Sequence, residues 1–311
     1  MNEKEMEQIV NEECPHFEEM MEQIQEEQEE KMKHMPPEYA TSTCHLERWI
    51  DSYFDYEATR DVPSGKGNND VEEDELRLDH LHVLIDNQKK YKKWFREDWK
   101  NNGLSCCQYL LFARTIKREM YGKSVIRNSN NALRLKRSIY DYLKKRDLLS
   151  EPDTLGTEEL LSVSPLFTEE EISKILEINK SIFNLMIKDL CHADQERSSN
   201  DYTLKRGLHT NTIVNEKNFY EKFTINSYTL ANSISDKFAN GKGNIHTVVR
   251  TPATIWDDAI LFNSIIFPAP SGEQQFEFGV IPFPKYERLC YKGEYASMHE
   301  CELDRVDRNS L

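Results

Sequence analysis

The stretch FTEEEISKILEINKSIFNLMIKDL, residues 167–190, decides how this chain is organised. Thr168 stands three residues before Glu171, the spacing of a capping box. In that arrangement the hydroxyl accepts the amide of the third helical residue and the carboxylate returns to the amide of the cap, so two donors stranded at a helix start find partners. Phe167, just ahead of the cap, can staple onto Ile172. Ile172, Ile175, Leu176, Asn179, Ile182, Phe183, Met186 and Leu190 then keep helical spacing for about five turns, which predicts a long helix with one buried face.

On the C-terminal side of that helix, residues 192–216 are polar and irregular and predict a long loop. A further helix is predicted over 227–238, with Leu230, Ile234 and Phe238 inward and Gly241 closing it. The runs 245–250, 259–267, 276–281 and 286–291 are rich in β-branched and aromatic residues and punctuated by Pro, Gly and Ser, the pattern of short strands. Residues 268–273 fit a loop joining two antiparallel strands. Helices first and strands afterwards indicate an α+β fold with an antiparallel, β-rich C-terminal segment.

On the N-terminal side three shorter helices are predicted. Leu81, Leu84, Ile85, Tyr91, Phe95 and Trp99 share one stripe, which Asn101, Asn102 and Gly103 stop. Leu111, Phe112, Ile116 and Met120 mark a second helix over 105–121. Asn128 to Asn131 offer a cap for a third, whose buried face is Ala132, Leu135, Ile139, Tyr142 and Leu143. Farther back, residues 1–37 read as an acidic amphipathic helix of coiled-coil type, with Phe17, Met20, Met21 and Ile24 at i, i+3, i+4 and i+7, ended by Pro36 and Pro37. That stripe is too narrow to hold a helix alone in water, so it either docks on a partner or stays disordered. Trp49, Ile50, Tyr53 and Phe54 form an aromatic cluster, and residues 63–75 read as an acidic linker. The expected division is therefore an acidic arm (1–75), a basic three-helix module (76–150) and an α+β domain (151–311).

Charge follows the same division. The 311 residues carry a net charge of −15, yet residues 88–146 hold 17 Lys/Arg against 4 Asp/Glu, while residues 1–87 hold 7 against 25. Apolar residues make up only 38%, below the roughly 45–50% of an ordinary globular domain, as expected if a polar arm dilutes a folded body. The first residues are acidic where a secretory signal needs cations and an apolar run, and no stretch reaches the roughly 18 apolar residues of a membrane span. Seven cysteines without framework spacing predict free thiols, hence a nuclear or cytoplasmic protein.

The basic module supplies the candidate site: Lys89, Lys90, Lys92, Lys93 and Arg96 on the first helix, and Arg134, Lys136, Arg137 and Lys144 on the third. Cations fixed on a helical surface suit a phosphate backbone, because each neutralised phosphate releases condensed counterions. Tyr91 or Trp94 could stack on bases. The competing expectations are an acidic protein surface, the chain's own acidic arm, or a face that is merely solvated.

Other constellations point nowhere firm. Cys191 with Arg197 and Ser198 has the spacing of a phosphatase loop, but the loop lacks glycine and carries Asp194 and Glu196, which would repel phosphate. Cys290, His299 and Cys301 lack paired zinc-ligand spacing, so no metal and no cofactor is expected. Residues 241–244 hold a fragment of a phosphate loop without its Lys-Ser/Thr ending. Asp257 and Asp258 form a carboxylate pair with no third ligand or base nearby. Two functions lead, and an enzyme with an active site assembled from scattered residues stays open because no paired nucleophile and base can be read. One is a non-enzymatic regulatory or assembly factor that contacts nucleic acid, or a nucleoprotein complex, through residues 88–146. The other is an adaptor subunit that docks a protein partner through Phe17, Met20, Met21 and Ile24 with no nucleic-acid contact.

Overall fold

The computed structural model describes residues 80–120, 130–149, 157–195, 197–215, 219, 225–239, 245–268, 275–295 and 298–305. The acidic arm, with Phe17, Met20, Met21 and Ile24, lies outside them, as do residues 241–244.

Helical residues 80–86 lead through a turn at Asn87 into α1 (Gln88–Asn101). Tyr91, Phe95 and Trp99 recur one turn apart and are buried. Gly103, with φ at 73°, stops the helix in a left-handed conformation that suits glycine. Ser105 opens α2 (Cys106–Arg114) with a capping box to Gln108, and the chain continues as a π-helix over Thr115–Met120. Next come α3 (Asn130–Lys145), the short α4 (Thr157–Leu161) and the long α5 (Glu169–Ala193).

Helix α5 starts where the capping box predicts. Glu171 N donates to Thr168 Oγ1 at 3.2 Å, and Thr168 N donates to Glu171 Oε2 at 2.7 Å. Helix α3 fixes the approach to that cap. Ser138 Oγ, fully buried, accepts the amides of Leu166 and Phe167 at 2.8 Å each. All the apolar residues read onto the α5 stripe are buried, and Asn179 among them donates to the Leu261 carbonyl at 2.6 Å.

Seven strands form one mixed sheet in the order β4-β5-β2-β1-β3-β7-β6. They are β1 (Thr203–Thr210), β2 (Asn226–Thr229), β3 (Ile245–Pro252), β4 (Ile260–Asn263), β5 (Glu277–Val280), β6 (Glu287–Tyr295) and β7 (Met298–Arg305). The sheet is not wholly antiparallel, because β3 and β7 pair in parallel. β4 and β5 are antiparallel neighbours, while residues 269–274 of the predicted loop lie outside the described residues.

Two expectations fail here for a shared reason. The predicted loop over 192–216 contains β1, which lies inside the sheet between β2 and β3. Its sequence looks polar, yet Lys205 is buried and donates Nζ to the Leu230 carbonyl at 3.1 Å. The helix predicted over 227–238 is instead β2 followed by α6 (Asn232–Ala239), and Phe238 is exposed. Helix α6 lies against β1 at Gly207, where a Cβ would sit 1.8 Å from the Ser235 carbonyl oxygen. β7 carries alternating polar residues on a strand the sequence did not mark, with Cys301 and Leu303 buried.

One hydrophobic core runs through helices and sheet. The Phe267 ring, after β4, stands edge-on to Phe95 at 5.3 Å and to Phe112 at 5.6 Å. Gln88 Nε2 donates to the Ile265 carbonyl at 2.6 Å. The basic helices therefore pack on the sheet-forming region across residue 150.

Gly207→Ala must push α6 off the sheet, and overpacking of this kind costs about 1–3 kcal/mol. A urea titration should show a lower midpoint with an unchanged slope. Phe267→Ala should cost about 3–5 kcal/mol and lower one cooperative transition followed by helical circular dichroism. A variant in which the helices melt separately at the wild-type midpoint would refute the shared core.

Candidate anion-binding face

A pocket of about 330 Å³ runs along α1, lined among the described residues by Lys89, Lys92, Lys93, Arg96, Glu97 and Lys100. The helical repeat explains the grouping. Positions 89, 92, 93, 96 and 100 fall within one stripe, because i, i+3, i+4, i+7 and i+11 come round to the same side at 3.6 residues per turn. Tyr91, Phe95 and Trp99 take a different side and fill the core, so the apolar face anchors the helix and presents the cations. From Lys89 to Lys100 the stripe is about 16 Å long at 1.5 Å per residue.

Among the described residues the stripe holds five cations and one carboxylate. Lys89, Lys93 and Lys100 are exposed, Arg96 is half-buried and Lys92 is buried. Lys93 and Glu97 approach to 3.9 Å, with 73% and 54% of their side chains exposed. Such an exposed pair holds its members weakly and leaves them free to exchange for an incoming anion. Partial burial, then the neighbouring Glu97, raises the Asp98 carboxyl above its ordinary range.

The other cations singled out in the sequence do not form one surface with this stripe. Lys90 binds Asp189 of α5 at 3.0 Å and lies over the Trp94 ring at 4.8 Å. Arg134 is 5% exposed, its guanidinium turned to the Ser164 and Pro165 carbonyls at 3.2 and 3.4 Å, which pins the chain entering α5. Arg137 makes a two-pronged contact with Asp141, both bonds 2.9 Å, and reaches the Leu160 carbonyl. Lys136 is half-buried, and Lys144 is exposed near the Tyr140 ring. Helix α3 thus spends two of its cations on holding the fold.

The aromatics are occupied as well. Tyr91 is buried and donates its hydroxyl to Asp189 at 2.6 Å. Burial first, then that hydrogen bond and the carboxylate charge, keep the phenol protonated well into alkali. It is a core residue and presents no face to a base. Trp94 is partly buried against the core.

The remaining constellations resolve into local contacts. Arg197 turns back on Asp194 at 3.1 Å. The Cys191 thiol is pushed above its usual range by burial, then by Asp201 and Asp194, the reverse of what a phosphatase nucleophile needs. Asp257 faces Lys180 at 3.5 Å and Asp258 faces Arg305 at 2.5 Å, so the two carboxylates serve different cations. His299 shares a hydrogen bond with Tyr291, 2.8 Å, while Cys301 is buried. Among the described residues no group of three or more His, Cys, Asp and Glu could hold a metal ion, and no helix is long and apolar enough to cross a membrane. Comparison with protein-family models, curated proteins and solved structures finds no match for this chain. The reading of the site therefore rests on its own chemistry.

Arg134→Ala removes charged hydrogen bonds from a buried position and should lower stability by about 1.5–3 kcal/mol, whereas Lys93→Ala should leave the denaturation midpoint nearly unchanged. Equal losses in the two variants would sink the distinction between clasp and surface. Iodoacetamide at pH 7.5, followed by peptide mass spectrometry, should label Cys191 more slowly than a free model thiol. Preferential labelling of Cys191 would show that its thiolate is accessible after all.

Proposed function

We propose that this chain is a non-enzymatic regulatory or assembly factor that contacts the phosphate backbone of nucleic acid, alone or within a nucleoprotein complex, through the cation stripe of α1. One observation carries the reading. Among the described residues, five cations and a single carboxylate line one pocket on a helix whose apolar side is buried in the core. A rigid row of cations about 16 Å long can follow several successive phosphates without ordering a flexible tail on binding, which saves the entropy a disordered basic segment would lose.

The same geometry limits the mode of recognition. With Tyr91 buried, half-buried Trp94, under Lys90, is the one α1 aromatic with exposed surface, so stacking on bases plays at most a small part. Contact is by charge, so affinity should depend steeply on salt and weakly on sequence. The candidate cations are Lys89, Lys93, Arg96 and Lys100, which line the pocket, whereas Arg134 and Arg137 hold Ser164, Pro165 and Asp141 within the fold.

If four phosphates are engaged, the slope of log affinity against log salt should be roughly −3.6 on duplex DNA and −2.8 on a single strand. Fluorescence anisotropy on labelled oligonucleotides across a salt series measures it. The triple variant Lys89→Glu, Lys93→Glu, Lys100→Glu should fold as wild type by circular dichroism and lose at least ~100-fold in affinity at low salt. Wild-type binding by that variant would rule out the α1 stripe. If the purified chain instead carries a stable acidic protein and shows no nucleic-acid absorbance, the stripe serves a protein partner.

A further inference from the structure

We propose that residues 18–30 of the same chain occupy the α1 cation stripe when no nucleic acid is bound, making the acidic arm an internal competitor for the site. This rests on reading α1 as the binding face, and it adds how that face is regulated. The arm lies outside the described residues, and its sequence, its charge and its point of attachment bear on the contact.

Charge is the first support. Residues 18–30 contain Glu18, Glu19, Glu22, Glu26, Glu27, Glu29 and Glu30 and no Lys or Arg. No other stretch of this length before residue 80 combines so many carboxylates with no cation. Opposite it stand the exposed Lys89, Lys93 and Lys100, beside Lys92 and Arg96.

Spacing is the second. Lys89, Arg96 and Lys100 run at i, i+7 and i+11. Glu19, Glu26 and Glu30 run at the same intervals, with Glu22 between them. On the helix that the arm's pattern predicts, these four glutamates fall on the side opposite Phe17, Met20, Met21 and Ile24. Two such helices lying parallel bring Glu19, Glu26 and Glu30 beside Lys89, Arg96 and Lys100, and the apolar stripe of the arm stays outward for a protein partner. Docking and recruitment would then use different faces of one segment.

The tether is the third. About fifty residues separate Glu30 from the first described residue, and that residue lies shortly before α1. A random coil of fifty residues has a root-mean-square end-to-end distance of about 40 Å, longer than the stripe of about 16 Å. The arm is then held near its site at an effective concentration on the order of millimolar. Exposed ion pairs alone give weak docking, so an arm at this concentration fills the stripe in part and yields to a polyanion that releases counterions on binding.

Zero-length carbodiimide crosslinking of the full-length chain at about 50 mM salt, where screening is mild, tests the contact directly. Peptide mass spectrometry should find amide bonds between Lys89, Lys93 or Lys100 and glutamates of residues 18–30, in material of monomer mass. Crosslinks from these lysines only to residues 70–75, crosslinks confined to dimers, or none at all would overturn the proposal. A second arm uses the full-length variant Glu19→Gln, Glu22→Gln, Glu26→Gln, Glu30→Gln. It should bind a single-stranded oligonucleotide about three- to tenfold more tightly than wild type, as expected when a tethered competitor is removed. Unchanged affinity would count against competition. The two readings fail separately: if neither protein binds oligonucleotide, the α1 nucleic-acid reading falls, while the crosslinks still decide where the arm lies.

Discussion

Helix α5 has to bury residues on several neighbours at once, and the rest of the fold is arranged around that requirement. It packs against α1 and α3 and against β4 of the sheet. Its ends of contact are specific: Phe183 stands edge-on to Phe278 of β5 at 5.3 Å, and the buried amide of Asn179 donates to the β4 carbonyl of Leu261. A polar side chain with no exposure is tolerated there because that donor is satisfied, and a slip of the helix along the sheet would strand it. Arg134 and Ser138 of α3 hold the entry to α5, so the start of the spine depends on the helix beside it.

That arrangement sorts the basic residues into two populations. Where a cation lies near α5 or its entry it has been drawn into the fold, as Lys90 to Asp189, Arg134 to backbone carbonyls and Arg137 to Asp141. Where the helical repeat carries it away from α5, as at Lys89, Lys93 and Lys100, it faces solvent. A lysine-rich stretch on a packed helix thus becomes a narrow row of accessible charge instead of a diffuse basic surface. The row is rigid because Tyr91, Phe95 and Trp99 secure the same helix in the core.

Charge segregation along the chain acquires a physical sense in that setting. The stripe on α1 is a high local density of positive charge on a chain whose net charge is −15. Screening limits exposed charges to about 8–10 Å at ordinary salt, so the local row governs what binds there more than the total does.

Elements whose physics is local were legible in the sequence. The capping box at Thr168 and Glu171, the apolar spacing through Leu190, the stop at Gly103 and the buried faces of α1 and α3 follow from backbone geometry and amphipathic repeats within a few turns. Order of helices before strands fixed the mixed class for the same reason. What the tertiary structure alone decided depends on partners distant in sequence. β1 is a central strand because Lys205 finds the Leu230 carbonyl and Gly207 admits α6, and no local pattern could announce either. The parallel pairing of β3 with β7 joins strands some fifty residues apart. At the site, sequence gave the cations and their helix, but Arg134 and Lys93 look alike in a sequence. Only packing against residues 164–167 turns one into a buried clasp and leaves the other at the surface.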